Sequence, residues 1–479
     1  MKIAMAASEA APFLKTGGLG DVMEALPQAL SEQKNTEICL FLPYYKCIKQ
    51  NENIPTETVA TFTMKLAWRD CYVGVLRVRS PRRKLRVYLI DNEYYFGRDS
   101  IYGCLDDGER FAYFSKAVLE AMDHLDFRPD VIHCHDWQAA LVPLFLRGFY
   151  QDCFPGVRTV LTIHNLEYQG WANPDFLSDV IGMGEEYRDT VDCDGGVNFL
   201  MSGIALADEV TTVSETYASE ITTPWFGENL CPILQREQGK LSGIVNGLNM
   251  KRFDPATDND LAVRFGPEEY REKKPLAKAA LQQELGLSPD ASVPILSAVT
   301  RLAGHKGIDL LCYIAETLMR EREVQLVVCG SGEPQYEAAM SDLARRYPGK
   351  FAAYLGFHPH LASRIYAGSD IYLMPSRSEP CGLSQMIAMR YGAVPVVHAV
   401  GGLMDTVPPY NEITGEGRGF TFQSYNGEDF LSAVDRACDL YWNHKEVWYE
   451  LVMRDMTTDF SWKKPAEAYL NLYRRLCGQ

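Results

Sequence analysis

The sequence predicts an α/β protein made of two doubly wound domains that face a central cleft. Three observations carry the prediction. The chain has 479 residues, more than one ordinary core needs. Short apolar runs alternate with helical patterns, as in parallel sheets covered by helices. This alternation starts afresh in the second half of the chain. Because such sheets bind ligands beyond the carboxyl ends of their strands, the loops that follow strands are candidate sites.

Six candidate strands occupy the first half of the chain, and helical patterns separate them. They lie at residues 3–7, 37–42, 87–90, 131–133, 157–163 and 209–213. Segment 55–89 differs, since Val73, Val75, Arg77 and Arg79 alternate with other residues as in an antiparallel ribbon. We therefore expect a parallel sheet with an inserted ribbon.

Five further candidate strands occupy the second half, each followed by a helical stretch. They lie at residues 294–300, 325–329, 351–355, 371–375 and 394–398. The stretch between the halves, about 246–275, is rich in Pro, Asp, Asn and Gly, which indicates a linker with irregular connections. The predicted domains are therefore Rossmann-like units at 1–245 and 246–457.

Composition and charge exclude several classes of partner. The formal net charge is −16, whereas nucleic acids and anionic membrane surfaces select basic patches, so we expect neither as a partner. No apolar run approaches the ~20 residues that span a bilayer, and no signal peptide is apparent. The 13 cysteines are scattered without zinc-type spacing, which favours a reducing cytoplasm. A metal at Cys134 and its neighbouring histidines is disfavoured, because adjacent strand residues point to opposite faces.

The first candidate site follows the first strand, at Lys15-Thr16-Gly17-Gly18-Leu19-Gly20-Asp21-Val22. Glycines bring backbone N–H groups close to a ligand, a helix predicted from about Met23 adds the positive end of its dipole, and Lys15 adds a full charge. This arrangement suits a phosphate. The run fails the dinucleotide pattern G-x-G-x-x-G, since Met23 takes the last position, and it contains no Walker A pattern. A tight turn without a ligand is the alternative.

The loop that opens the second half carries two cations. Arg301 closes a predicted strand, and Lys306 and Gly307 precede a helix predicted at 308–320. Two cations beside a helix N-terminus can hold a diphosphate. The alternative, a pair of surface cations, is disfavoured by their position at a strand end.

A later loop lies between a predicted strand at 371–374 and a helix predicted at 386–391. It contains Ser376, Arg377, Glu379, Cys381, Gly382 and Leu383. The carboxylate of Glu379 is well placed to bind sugar hydroxyls, and Gly382 and its neighbours can offer N–H groups to a phosphate. The alternative is an acidic residue that only stabilises the dipole of the following helix.

Two strand ends of the first half add further polar groups. His135-Asp136-Trp137 follows one strand, and His164-Asn165 follows the next. Asp136 is a candidate for binding hydroxyls or for electrostatic support, and Trp137 for packing or for stacking under a sugar. His164 is a candidate for a hydrogen bond to a substrate hydroxyl. A lone histidine near a strand end is more often structural, but this one joins three other clusters at strand ends.

Taken in order, these motifs resemble those of bacterial glycogen synthases and plant starch synthases, retaining glycosyltransferases with the two-domain GT-B fold. The resemblance covers essentially the whole chain. Further matching motifs are Val245-Asn246-Gly247 and Gly401-Gly402-Leu403-Met404-Asp405-Thr406-Val407. The departures are small: His305 stands where many relatives have glutamine, and Ile387 where the wider GT-B retaining group has a second glutamate.

The resemblance implies transfer of glucose from ADP-glucose to the non-reducing end of an α-1,4-glucan such as glycogen, with retention of configuration and without a metal or other cofactor. It implies catalytic roles for Glu379, Lys306, Arg301, His164 and Asp136. It implies substrate contacts for Lys15, Gly17, Gly18, Asp21, Asn165, Asn246, Ser376, Arg377, Cys381, Gly382 and Leu383. It also implies that segment 458–479 forms a helix crossing back onto the first domain.

Several alternatives stay open at this point. A glucan synthase that uses UDP-glucose, or another GT-B enzyme that forms sucrose or trehalose, is one class, although the Lys15 and Glu379 motifs disfavour disaccharide synthesis. A phosphorylase with pyridoxal phosphate is a second. An inactive carbohydrate-binding protein is a third, and loss of the cations or of Glu379 would be its signature. A nicotinamide dehydrogenase is disfavoured by the failed glycine pattern. The oligomeric state is not fixed by the sequence.

Overall fold

The computed structural model describes residues 1–80, 84–356 and 358–479. The chain forms two compact units. Unit 1 consists of Met1–Gly247 together with Trp462–Gln479, and unit 2 consists of Leu248–Ser461. The sequence-based boundaries, after residues 245 and 457, differ from these by two and four residues. Residues 81–83 of the predicted ribbon lie outside the described residues.

The main sheet of unit 1, as far as the chain is described, has the strand order β12-β11-β7-β6-β1-β2-β5-β4-β3. Its strands are β1 Lys2–Ala6, β2 Glu37–Pro43, β3 Thr56–Leu66, β4 Arg69–Val78, β5 Leu85–Asp91, β6 Val131–His135, β7 Arg158–Ile163, β11 Glu209–Thr212 and β12 Leu241–Gly243. A small antiparallel sheet contains β8 Trp171–Ala172, β9 Asp192–Cys193 and β10 Gly196–Asn198. Strands β3, β4 and β5 pair antiparallel, so the predicted ribbon is confirmed.

Strand β1 is the centre of this sheet and pairs in parallel with both β2 and β6. Four of its five residues are buried, as expected for a strand covered on both faces. The strand order runs outward from β1 in one direction and from β6 in the other. The topological switch point of unit 1 therefore lies between β1 and β6, and the loops after these two strands flank it.

Helices cover the sheet of unit 1. They are α1 Gly18–Ser31, α2 Lys46–Lys49, α3 Glu93–Phe96, α4 Asp107–His124, α5 Val142–Phe145, α6 Arg188–Val191, α7 Phe199–Leu206, α8 Glu215–Glu220 and α9 Cys231–Arg236. Helix α1 begins five residues before the predicted Met23, so Gly18 and Gly20 belong to its first turn. Its apolar positions, such as Val22, Leu26 and Leu30, recur at helical spacing and are buried.

Unit 2 contains a parallel sheet with the strand order β15-β14-β13-β16-β17-β18. Its strands are β13 Ile295–Val299, β14 Gln325–Gly330, β15 Phe351–Leu355, β16 Ile371–Met374, β17 Val394–His398 and β18 Phe420–Phe422. This is the order of a dinucleotide-binding sheet, and its switch point lies between β13 and β16. The five predicted strands of this half are confirmed, whereas β18 was missed.

The helices of unit 2 follow the strands and fill the linker region in part. They are α10 Tyr270–Leu285, α11 Ile308–Glu321, α12 Pro334–Arg346, α13 Pro359–Gly368, α14 Ser384–Arg390, α15 Gly401–Thr406, α16 Gly427–Asn443 and α17 Lys445–Thr457. The stretch predicted as irregular, 246–275, ends inside α10. The prediction of two α/β units with parallel sheets is confirmed.

The last helix, α18 Lys463–Leu476, belongs to unit 1. Tyr469 and Tyr473 are fully buried there, and Arg475 forms an ion pair of 2.8 Å with Glu209 at the start of β11. The chain therefore begins and ends in the same unit. None of the described helices combines the length and the apolar character that crossing a membrane would require.

Candidate active site

The loop between β1 and α1 leaves open space in front of its glycines. Gly17 caps the helix with extended backbone angles (φ −150°, ψ −163°), so it is not required for a left-handed conformation. A Cβ atom on Gly18 would meet no described atom within 4 Å, and one on Gly17 would meet only the Glu9 carboxylate at 3.9 Å. Packing within the described part of unit 1 therefore does not demand glycine at either position. Close approach of a ligand would explain both.

A buried carboxylate holds this loop from the inside. Glu9 Oε2 accepts hydrogen bonds from Thr16 N at 2.5 Å and from Thr16 Oγ1 at 2.8 Å, and the carboxylate also receives the N–H of Gly17. Burial raises the pKa of Glu9, and these hydrogen bonds oppose the rise. The N–H of Gly17, expected to face a phosphate, is thus directed at Glu9. Sequence reasoning missed Glu9, although an acidic residue in the loop that follows β1 is a usable signal.

Lys15 is oriented by two neighbours. Its ammonium lies 2.6 Å from Asp21 in the first turn of α1. A Cβ atom on Gly20 would lie 2.9 Å from Lys15 Cγ and 3.1 Å from Lys15 Cα. Gly20 therefore makes room for Lys15, and Asp21 neutralises part of its charge.

Asp136, after β6, has a strained backbone. Its φ of 58° and ψ of −176° lie in a region that is essentially restricted to glycine. Its Oδ1 accepts hydrogen bonds from the backbone N–H groups of His164, at 2.7 Å, and Asn165, at 3.4 Å. Burial raises the pKa of Asp136 to about 7, and the negative charge of Glu9 adds to this rise. Strain at a switch-point residue is typical of a functional site.

Three histidines lie near Asp136, two on β6 and one directly after β7. His164 Nε2 is 3.0 Å from His135 Nδ1, and the ring of His135 packs against that of His133 with centroids 4.0 Å apart. Burial lowers the pKa of His164 and of His133 to about 3, and it also lowers that of His135. All three rings are therefore neutral near pH 7. Cys134 lies between two of them in sequence and, by strand alternation, faces the other side of β6.

Two other predicted residues of unit 1 have different roles. Trp137 packs edge-on against Phe111 and Phe199, and Gly170 leaves room for its indole ring, so it is a packing residue. Asn246 is buried, and its Oδ1 has no hydrogen-bond partner in the described part of the chain. Such an atom is a candidate for a ligand contact.

In unit 2, the loops after β13 and β16 meet at the switch point. Lys306 Nζ lies 2.7 Å from Glu379 Oε2, and Ser376 Oγ donates to the same oxygen at 3.2 Å. Gly307 has a φ of 73°, and a Cβ atom there would lie 2.0 Å from the carbonyl oxygen of Pro375. Only glycine permits this approach, which brings the lysine and the glutamate together.

The glycines that begin α15 contact the backbone of the Glu379 loop from the other side. Gly402 N donates to the Glu379 carbonyl oxygen at 3.0 Å, and a Cβ atom on Gly402 would lie 2.3 Å from Cys381 Cα. Gly382 has a φ of 72°, and Leu383 caps α14. The loop that contains Glu379 is therefore fixed by backbone contacts on both sides.

The two predicted arginines of unit 2 differ. Arg301 is exposed, and it forms no ion pair with any described residue. Arg377 lies over the ring of Tyr425 at 4.8 Å and 4.0 Å from Asp309, so its charge is partly used within the unit. Across the described ranges, no group of three or more His, Cys, Asp or Glu side chains has the arrangement of a metal site.

The sequence is similar to known proteins over both units. A family model described as starch synthase catalytic domain matches residues 2–236, and one described as glycosyl transferases group 1 matches residues 287–450. The chain is 46% identical to a glycogen synthase of Exiguobacterium sibiricum over 99% of both chains. It is 45% identical to a glycogen synthase of Streptococcus mutans over 99% of this chain and 100% of that one.

Solved structures give the same result. The catalytic domain of starch synthase IV from Arabidopsis thaliana, bound to ADP and acarbose, matches with a TM-score of 0.90 and 33% identity, over 100% of this chain and 99% of that one. A sucrose-phosphate synthase from Thermosynechococcus elongatus matches with a TM-score of 0.60 and 19% identity, so it shares the fold. Fold and site thus define a glycosyltransferase with two α/β domains. Within that class, the chain belongs to the glycogen and starch synthase family.

Proposed function

We propose that the protein transfers glucose from ADP-glucose to the non-reducing end of an α-1,4-glucan, with retention of configuration. The observation that carries the proposal is the Lys306–Glu379 pair at the switch point of unit 2. It combines a cation for a phosphate with a carboxylate for sugar hydroxyls. Support comes from relatives named glycogen synthase and from the ADP and acarbose in the starch synthase structure.

The proposal assigns the diphosphate to cations rather than to a metal. Departure of ADP develops negative charge on its β-phosphate, and preorganised cations stabilise such charge strongly. Lys306 and Arg301 would supply this charge, and Lys15 and the N–H of Gly18 would add to it. Activity is therefore expected to survive EDTA. Loss of activity in EDTA, with recovery on adding Mg²⁺, would contradict this assignment.

Glu379 has the role of a hydroxyl acceptor in this proposal. Lys306 and Ser376 hold Oε2, which orients the carboxylate toward donor glucose and makes it a poor nucleophile. We therefore favour attack by the acceptor hydroxyl on the face of the donor glucose from which ADP departs. The bond from C1 to the β-phosphate oxygen breaks, the acceptor oxygen bonds to C1, and the acceptor proton passes to the departing phosphate. A glycosyl adduct trapped on Glu379 or Asp136 would overturn this mechanism.

The residues at the switch point of unit 1 are assigned to sugar recognition. His164 and Asn165, both anchored by Asp136, would hydrogen-bond the donor or acceptor glucose. The unpartnered Oδ1 of Asn246 would accept from a further hydroxyl. Neutral histidine suits this role, because an imidazolium would repel the positive charge that develops at C1 in the transition state.

A donor-competition assay tests the proposal. Purified protein is incubated with maltooligosaccharide and either ADP-glucose or UDP-glucose, and nucleotide release and chain length are both measured. We expect elongation by single glucose units, with a higher kcat/KM for ADP-glucose. A disaccharide product would favour another glycosyltransferase. Glucan binding without nucleotide release would favour an inactive binding protein.

All 13 cysteines are free thiols, which fits a reducing compartment. We therefore propose the cytoplasm as the place where the protein works.

A further inference from the structure

The two histidines of β6 and His164, which directly follows β7, form a chain of contacts in which the proposed reaction uses His164 alone. His164 is the only one of the three that is half-buried rather than buried. Its Nε2 faces His135 Nδ1 at 3.0 Å, and its Nδ1 has no hydrogen-bond partner among the described residues. One nitrogen of each neutral ring carries a proton, and the hydrogen bond between the two facing nitrogens requires that one of them is protonated and the other is not.

The burial of His135 decides which nitrogen that is. His135 Nε2 is buried and has no partner in the described part of the chain. A buried N–H without an acceptor is rare and destabilises the folded protein. An unprotonated ring nitrogen without a donor destabilises it less. The proton of His135 therefore belongs on Nδ1, from which it is donated to His164 Nε2. His164 must then carry its own proton on Nδ1.

His133 packs against the ring of His135 and holds it in place. Its Nδ1 lies 2.7 Å from the hydroxyl of Tyr473 on α18, and its Nε2 lies 2.6 Å from Thr162 Oγ1. Both of its nitrogens are occupied, so it offers no partner to His135 Nε2. Its ring packs against His135 and limits rotation of that ring.

We propose that His135 is a positioning residue that holds His164 in the tautomer with its proton on Nδ1, so that His164 donates a hydrogen bond to an oxygen of the bound sugar. The contact with substrate rests on the proposed function, whereas the tautomer does not. His133, held by Tyr473, keeps His135 in the orientation that this requires. A sugar hydroxyl bound by His164 would therefore accept from the ring and keep its own proton for another partner.

Nuclear magnetic resonance of wild-type protein labelled with ¹⁵N in its histidine rings tests the tautomer directly. A His164→Gln variant identifies the signals of His164. We expect Nδ1 to be protonated and Nε2 to be unprotonated at pH 7. A proton on Nε2 of His164 would overturn the proposal. This measurement needs no turnover, so it succeeds or fails independently of the proposed reaction.

Two variants then separate positioning from folding. In His135→Asn the amide nitrogen lies close to the position of Nδ1, so the donor is kept. In His135→Leu it is lost. We expect His135→Asn to retain the His164 tautomer and most of kcat. His135→Leu should show mixed tautomers and about tenfold lower kcat, with donor KM little changed.

Cys134→Ala, on the opposite face of β6, controls for general disturbance of the strand and should keep both kcat and the tautomer. Equal activity of the Asn and Leu variants, with an unchanged His164 spectrum in both, would contradict the role of His135. If His135→Leu does not fold, the wild-type spectrum and His135→Asn still decide the question.

Discussion

Lys306 Nζ lies 2.7 Å from Glu379 Oε2, and the two side chains come from the loops after β13 and β16, the strands that flank the switch point of unit 2. Both are largely buried, with side-chain exposures of 17% and 9%. Each charge therefore stabilises the other in the folded protein, and each also has a proposed role in binding the substrate. The two contributions can be separated.

Lys306→Ala is expected to lower both stability and turnover. The unpaired Glu379 carboxylate would cost about 3 kcal/mol of unfolding free energy, and loss of the phosphate cation would lower kcat roughly 10²–10³-fold. Denaturant unfolding and initial rates measure the two effects. The double variant Lys306→Ala/Glu379→Gln should recover stability and remain inactive. Recovery of activity in the double variant would show that Lys306 serves only to pair with Glu379.

Gly307→Ala tests the close approach of the two loops of unit 2. The alanine would need a φ of 73° and would press its Cβ against the Pro375 carbonyl oxygen. Gly286→Ala is a matched control, since its φ is 67° and no described atom lies within 4 Å of its Cβ position. We expect Gly286→Ala to cost about 1 kcal/mol of stability and to keep full activity. Gly307→Ala should lose at least twice that stability and most of its kcat, and equal losses would argue against the close approach.

Gly18→Ala tests whether a ligand reaches the start of α1. The free protein has room for the methyl group, and alanine favours helix over glycine by up to about 1 kcal/mol. The melting temperature should therefore stay or rise, whereas KM for ADP-glucose should increase about tenfold. An unchanged KM would show that no ligand approaches Gly18.

Gly20→Ala should act by another route, because its Cβ would displace Lys15 from Asp21. We expect Gly20→Ala to lower kcat/KM. Adding Lys15→Ala to this variant should lower kcat/KM no further. Additive losses would show that Gly20 acts independently of Lys15.

Asp136 should make stability depend on pH. Its pKa is about 7 in the folded protein and about 3.9 in an unfolded chain. The folded state therefore binds the proton more tightly. The stabilisation that this gives is complete below pH 4 and is lost as the pH rises through 7. Asp136→Asn removes the titration and can keep the Oδ1 acceptor for His164 and Asn165.

Between pH 4 and pH 8, the melting temperature of Asp136→Asn should rise relative to that of the wild type. Thermal melts across that range measure it. A difference that does not vary with pH would mean that Asp136 titrates normally.

Local sequence patterns predicted most of the fold because strands such as β13 and β17 are five-residue, mainly apolar runs bounded by loops. The same patterns assigned Lys306 and Glu379 to loops after strands. They could not show that the two residues touch, because this contact depends on strand order and on the approach of Gly307 to Pro375. Strand β18 and the small sheet of unit 1 were missed because strands of two or three residues carry no periodicity.

The site residues that sequence reasoning missed are those whose role depends on three-dimensional surroundings. Glu9 becomes significant through its bonds to the loop before α1. The strained backbone of Asp136 has no signature in its residue type. The contact between His133 and Tyr473 joins residues 340 positions apart.

Because α18 belongs to unit 1, the order of synthesis determines which unit can complete its core first. Because Trp462, Tyr469 and Tyr473 complete the core that begins with β1, a growing chain on the ribosome has made all of unit 2 before unit 1 can close. Until α18 has been made, His133 lacks its hydroxyl partner, Tyr473, and this part of the core of unit 1 is incomplete. Synthesis that stops short of α18 would therefore release a chain with a finished second unit and an unfinished first one.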